Sequence, residues 1–268
     1  MTTSHTRTVR QCHESEVYDA RAAELAATVR DEDLVVDSHK PPYPNREHVR
    51  FLDYMFAQMG SLAGKRVLEI GCGSGTLSTY LAMRGADVVG IDVSEGMLAL
   101  GRRRAAANDV SSKVSFRASP IETLDMPDDH FDVVVANQVL HHLELAAAMP
   151  NIARMLRPDG VALFAEPVLL LPNFFRRLRY SRLVLRRFPS RADTPDERSV
   201  DKDDLALIRR AFTGSEVRTF QLTARLQNFR ELSNAVFARL ERADDFLLKY
   251  LPPTRVLGRY VVLVLRSH

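Results

Sequence analysis

Residues 67–78 read VLEIGCGSGTLS, a hydrophobic run interrupted by one acid and followed by three glycines that alternate with single residues. The aliphatic start predicts a strand buried on both faces, and the residues after the glycines open a helical spacing. A turn of this kind carries backbone N–H groups to the carboxyl edge of a sheet, where a ligand can approach them. Gly71, Gly73 and Gly75 remove the Cβ atoms that would hold the ligand off, and they admit the positive φ that a tight bend requires.

Working outward from the bend, short β-branched runs alternate with helical segments. Strands are expected at RVLEI (66–70), DVVGID (87–92), KVSFRA (113–118), FDVVVAN (131–137) and VALFAE (161–166). Helices are expected near 76–84, 95–107 and 145–156, the last closed by RPDG. This rhythm predicts parallel strands joined by right-handed helical crossovers. The second strand ends in Asp92, seventeen residues after Gly75, where a carboxylate can accept hydrogen bonds from both hydroxyls of a ribose. Asp92 also precedes the helix that starts near Glu95, but Ser94 suits the N-cap better.

The flanks are helical. Val17, Tyr18, Ala22, Leu25, Ala26 and Val29 form one apolar stripe over residues 14–30. After the loop DSHKPPYPN, a second helix is expected over 46–59, with Val49, Leu52, Phe56 and Met59 on one side. Beyond Pro167 come a leucine- and arginine-rich segment, a helix near 201–212, strands EVRTFQL (216–222) and RYVVLVL (259–265), and one or two helices between Ala224 and Tyr250.

Composition narrows the class. At 268 residues and 46% hydrophobic, the chain suits one generous domain or a domain with a substantial insertion. The polar opening MTTSHTRTVRQCHE lacks the apolar stretch of a secretory signal, so a cytoplasmic protein is expected. VALFAEPVLLLPNFF is broken by Glu166, Pro167 and Pro172 and is too short to span a bilayer. Cys12 and Cys72 supply neither a disulfide framework nor a zinc ligand set, and no metal is expected. A net charge of +3 without tryptophan is weakly basic for a reader of nucleic acid.

The succession VLEIGCGSG, VVGIDVS, FDVVVANQVLHHL and MLRPDGVALFAEP resembles the class I S-adenosylmethionine-dependent methyltransferases, particularly the small-molecule type, over roughly residues 46–167. The resemblance implies an α/β, Rossmann-like doubly wound fold: a mostly parallel seven-stranded sheet with an antiparallel last strand, plus a helical cap. It divides the chain into N-terminal lid helices (1–60), an S-adenosylmethionine-binding core (61–167), an insert or substrate cover (168–200) and a C-terminal part of the core (201–268) with a helical insertion at about 224–254. A nicotinamide dehydrogenase carries G-x-G-x-x-G for a pyrophosphate, whereas this chain has E-x-G-x-G-x-G, and an acid ahead of the glycines suits a ligand bearing an ammonium and a sulfonium.

By the same resemblance, Glu69 faces the amino-acid end of the cofactor, the backbone of Gly71 and Gly73 passes along its methionine moiety, and Asp92 grips the ribose. Cys72 and Gly75 belong to the same bend. Val93 and Met97 sandwich the adenine. The loop ASPIETL puts Pro120 where the family often has an acid, so Ser119 or Glu122, or the backbone of Ile121, takes the adenine contact. Asn137 turns its carbonyl to the cofactor ammonium or simply closes its strand, and Gln138 follows it at the site.

Methyl transfer is an in-line displacement that needs alignment and a proton acceptor. His141 and His142 in QVLHHL stand just past the fourth strand, and an ordinary histidine accepts a proton near neutral pH. The resemblance favours His142, as base or as a residue that shapes the pocket. Tyr18, in the lid helix, and Tyr43 are candidate hydroxyls near the methyl group. In the insert, Arg176, Arg177, Arg179, Arg182, Arg186 and Arg187 share an arc opposite Phe174, Leu178, Leu185 and Phe188, which reads as a solvated lid helix before it reads as a membrane contact. The acceptor is expected to be a small organic molecule, a secondary metabolite or, as the alternative, a prenylated quinone or lipid. An NAD-dependent oxidoreductase and a cofactor-binding member that does not methylate are the readings from other classes. NQVL lacks the Pro-Pro-aromatic tetrad of nucleic-acid methyltransferases.

Overall fold

A computed structural model describes residues 8–43, 46–168, 200–224, 226 and 232–267. The arginine-rich insert helix expected within 168–199 lies outside the described residues. The elements run α1 (Val9–Thr28), α2 (Arg46–Met59), β1 (Arg66–Ile70), α3 (Thr76–Met83), β2 (Asp87–Asp92), α4 (Glu95–Ala107), β3 (Val114–Ala118), β4 (Phe131–Asn137), α5 (Leu145–Met155), β5 (Leu156–Pro167), α6 (Lys202–Arg210), β6 (Gly214–Phe220), α7 (Asn234–Tyr250) and β7 (Tyr260–Arg266).

Seven strands form one sheet in the order β3-β2-β1-β4-β5-β7-β6. β7 alone runs antiparallel, between β5 and β6, so the expected mostly parallel α/β architecture with a reversed last strand is what forms. Both faces are buried, which is why β1 and β4 read as near-continuous apolar runs. Leu68, Ile70, Val134 and Phe164 pack towards α5 and α6, while Val67, Val133, Val135 and Leu163 pack towards α2 and α3. The strand order reverses at β1, and the crevice beyond the carboxyl ends of β1 and β4 is where such sheets take ligands.

Several boundaries differ from the sequence reading for identifiable reasons. α1 starts at Val9 rather than near residue 14, because Thr8 and Gln11 form a reciprocal capping box. The buried side of α2 is Phe51, Leu52, Met55 and Met59, rotated from the expected stripe by Phe51, whose ring lies 5.1 Å from Tyr260. Arg157–Asp159 bulge, exposed, from the start of β5: Phe131 pairs with Leu156, and Val133 already with Val161. β6 stops at Phe220 because Gln221 adopts a φ of 57° and the Asp244 carboxylate takes the amides of Leu222, Thr223 and Ala224. No helix among the described residues is long and apolar enough to cross a membrane.

Candidate active site

At the carboxyl edge of β1 the chain turns through Gly71 at a φ of 66°, and a Cβ there would sit 2.4 Å from a Val139 methyl. The bend is held by Cys72 N–H donating to the Ile91 carbonyl at 2.9 Å and Gly73 N–H donating to Asp92 Oδ2 at 2.9 Å. Asp92 Oδ1 accepts the Ser94 N–H at 2.9 Å. The carboxylate accepts one N–H bond on each oxygen, with the Val93 N–H a weaker third donor, and keeps lone-pair capacity for a further partner. Burial raises the Asp92 pKa, and N–H donation from Ser94, Gly73 and Val93 opposes the rise. Ser94 caps α4 as expected, its hydroxyl accepting the Met97 N–H.

These loops enclose a cavity of about 460 Å³. Gly71, Gly73, Asp92, Val93, Met97, Ser119, Pro120, Ile121, Asn137 and Gln138 line it, together with His142, Tyr18 and Tyr43. Asn137 hydrogen-bonds the Tyr43 hydroxyl, whose pKa burial raises. The other polar atom of the Asn137 amide, Oδ1, is buried without a partner. Gln138 holds a left-handed φ of 58° while its N–H donates to the Ala165 carbonyl at 2.7 Å, a strained residue where β4 meets the cavity.

Glu69, Cys72, Gly75 and His141 do not line the cavity. Gly75 caps α3 from the left-handed region, and the Cys72 thiol is buried, with its pKa pushed well up by desolvation. Glu69 turns beneath the bend to accept the Ser78 hydroxyl. Desolvation pushes the Glu69 carboxyl up to about 8, against an ordinary carboxylate value in the unfolded chain. The folded state therefore holds this proton more tightly, and stability is greatest below the unfolded value and falls as pH rises through the folded one. Between about pH 5 and 8, Glu69→Gln is expected to flatten this decline, by on the order of 2 kcal/mol in chemical denaturation.

His141 points its Nδ1 at Glu166 Oε2, 2.8 Å away, and Glu166 Oε1 accepts the N–H groups of Val139 and Leu140 at 2.7 and 2.6 Å. A fully buried carboxylate thereby pins the loop after β4. Glu166→Gln keeps one acceptor and loses the charge. It is expected to cost about 1–2 kcal/mol of stability in urea unfolding.

The sequence reading missed what α1 brings. Gln11, Glu14, Tyr18, Arg21 and Leu25, spaced by three and four residues, all line the cavity, so one face of this helix forms its wall. Glu14 Oε1 lies 3.0 Å from His142 Nδ1 and accepts Arg10 Nε at 3.2 Å, and Arg10 Nη2 donates to the His141 carbonyl at 2.6 Å. Asp19 Oδ1 takes the Ser94 hydroxyl and the Gly96 N–H, at 2.5 and 3.0 Å. Ser15 donates to the Val93 carbonyl at 3.0 Å. Glu122, a candidate for the adenine contact, accepts Gln11 Nε2 at 3.2 Å and the Glu144 N–H at 2.9 Å, so it ties the helix down. The spacing of Gln11 and Glu14 relative to Tyr18 was the available signal.

The donor and acceptor set fits S-adenosylmethionine. Asp92 offers lone pairs for a diol, Asn137 Oδ1 is an orphaned buried acceptor that suits an ammonium, and bare glycyl backbone lies between them. Among the described residues no group of three or more His, Cys, Asp or Glu side chains is placed to hold a metal ion.

Residues 68–164 match the methyltransferase domain family. Together with the strand order and the glycine bend, this identifies a class I S-adenosylmethionine-dependent methyltransferase domain. A ubiquinone biosynthesis O-methyltransferase of Alkalilimnicola ehrlichii is 37% identical over 116 residues, which are 42% of this chain and 46% of that one. The match thus spans about half the length of that relative. Among solved structures, the geranyl diphosphate C-methyltransferase of Streptomyces coelicolor A3(2), in complex with Mg2+, geranyl diphosphate and S-adenosylhomocysteine, superposes with a TM-score of 0.61 at 14% identity, covering 97% of this chain and 99% of that one. The cyclase SpnF superposes with a TM-score of 0.60 at 20% identity, covering 97% of both chains. At these identities the structural likeness speaks for the fold.

Proposed function

We propose that the protein transfers a methyl group from S-adenosylmethionine to an oxygen, nitrogen or carbon of a small organic acceptor, a secondary metabolite in the first instance. The observation that carries this reading is the single cavity in which Asp92, the glycyl backbone and the orphaned Asn137 oxygen stand on one side and His142, Tyr18 and Tyr43 on another. The cofactor supplies an electrophilic methyl on a sulfonium, so the protein has to align the acceptor and take up its proton.

In this reading Asp92 holds the ribose, Asn137 the ammonium, and Val93, Met97 and Ile121 the adenine, with Ser119 and Pro120 at its edge. Glu69 acts from beneath the bend, through the backbone it supports. His142 is the base. Hydrogen bonding of its Nδ1 to Glu14 selects the neutral tautomer whose acceptor lone pair is on Nε2. His141, held by Glu166, keeps the neighbouring backbone in place. α1 and α2 act as the lid, residues 168–200 as the substrate cover, and the protein works in the cytoplasm on a free small molecule, with nucleic acid excluded as acceptor.

A prenylated quinone or lipid is the second acceptor class. The ubiquinone-pathway relative and the apolar cavity residues Leu25, Val139 and Leu143 favour it. The test is turnover with methyl-labelled S-adenosylmethionine over a panel of phenolic, amine and isoprenoid-quinone acceptors. Label entering an acceptor, with release of S-adenosylhomocysteine, supports transfer. Cofactor binding without label transfer across the panel would instead favour a member that retains the cofactor without methylating, and tight NAD binding an oxidoreductase.

A further inference from the structure

Between β6 and β7 the chain leaves the carboxyl edge of the sheet, the same edge that carries the glycine bend, and returns to it through α7 and a 3-10 turn at Pro252–Leu257. Among the described residues, seven of the ten strongly exposed large hydrophobic side chains fall between 226 and 257, so apolar exposure is concentrated in this one excursion. Phe246 and Tyr250, one helical turn apart, are 61% and 59% exposed with ring centroids 4.9 Å apart, and Leu251, Val256 and Leu257, at the end of the helix and in the turn after it, are exposed as well. The opposite side of α7 already supplies the packing, through Phe237 and Leu248. An exposed apolar cluster of this kind marks a contact surface.

The charges are sorted between the two sides of the helix. Asp244 is buried and takes the amides of residues 222–224, while Asp245 and Glu241 face Arg50 of α2 at 2.7 and 3.9 Å. Those three are all the acids between 232 and 257, and each is turned towards the body of the protein. Arg239, Arg242, Lys249 and Arg255 are exposed. Arg239, Arg242, Phe246, Lys249 and Tyr250 follow one another at helical spacing and form a single basic and aromatic stripe.

We propose that this face of α7 and the turn after it rests on an anionic lipid bilayer. Aromatic rings settle at the headgroup boundary, aliphatic side chains enter the acyl region, and arginine and lysine stems reach back to lipid phosphate. A second copy of the chain would bring the same cations face to face, whereas an anionic surface compensates them. Vesicle binding requires neither methyl donor nor acceptor, so the proposal stands apart from the methyl-transfer reading.

Co-sedimentation of the full chain with vesicles tests it. Binding is expected to equimolar phosphatidylcholine and phosphatidylglycerol but not to phosphatidylcholine alone, and it should weaken with added salt. With about fivefold in partitioning per basic side chain near such a surface, the variant Arg239→Glu/Arg242→Glu/Lys249→Glu should lose at least roughly 100-fold. Phe246→Ser/Tyr250→Ser should lose about tenfold and leave a weaker, salt-sensitive binding. Thermal unfolding of both variants checks that the fold is kept, as expected for exposed positions. Failure of the wild type to bind anionic vesicles overturns the proposal, as does unchanged binding by both folded variants, which would put the lipid contact elsewhere on the chain. A dimer in sedimentation that Phe246→Ser/Tyr250→Ser dissolves would assign the surface to a second copy and overturn it too.

Discussion

Asp92→Ala is expected to weaken S-adenosylmethionine binding roughly 100-fold, read by isothermal titration, because the proposed ribose site would lose two charge-assisted hydrogen bonds. Alanine also leaves the Gly73 and Ser94 N–H groups without their acceptor, so the bend loses the clamp that joins it to the end of β2. Asp92→Asn separates the two contributions. It keeps an acceptor for one N–H and loses the charge, and a fall of about tenfold is expected. Thermal unfolding of each variant, followed alongside the titration, distinguishes a collapsed bend from a lost ligand contact. Unchanged affinity in a folded Asp92→Ala variant would remove the ribose from this position.

His142→Gln is expected to lower kcat by about a hundredfold to ten-thousandfold while the affinity for S-adenosylmethionine stays near that of the wild type, the range general-base removal usually shows. Glu14→Gln keeps a hydrogen-bond partner for His142 Nδ1 but no longer enforces which ring nitrogen carries the proton. A smaller loss of about tenfold in kcat is expected, together with a change in the tautomer balance of the ring, read by nitrogen-15 NMR. A merely structural Glu14 would leave that balance where it was. Retained turnover in His142→Gln would move the proton-accepting role to another group on the cavity wall, with Tyr18 and Tyr43 the hydroxyls in place.

The core and its ligand edge were legible in the sequence because their determinants are local. A buried parallel strand announces itself by composition, a positive-φ bend by glycine, and the acid at the end of the next strand by its spacing. The antiparallel position of β7 came from the family resemblance, and the structure shows it between β5 and β6. The polar ties across the cavity were not legible, because they join residues far apart in the chain. Glu14 meets His142 across 128 positions, and Asp19 meets Ser94 across 75. Neither carboxylate differs locally from a solvated acid on a helix.

Glu166 shows the same limit. In sequence it only interrupts an apolar run. In the fold it is the buried acceptor that fixes the loop carrying both histidines. Glu69 was legible as an acid ahead of the glycines, but its turn towards Ser78 depends on how α3 packs back on β1. On α1 the cavity uses the face of Gln11, Glu14, Tyr18, Arg21 and Leu25, of which the sequence reading had singled out only Tyr18 for the site.

The most direct measurement is a crystal structure with S-adenosylhomocysteine. Both ribose hydroxyls should lie within hydrogen-bond distance of the Asp92 carboxylate, with the amino group at Asn137 Oδ1 and the sulfur facing His142 and the tyrosine hydroxyls. A nucleoside bound away from Asp92, or one whose sulfur points away from the α1 wall, would contradict the assignment of this cavity as the donor site.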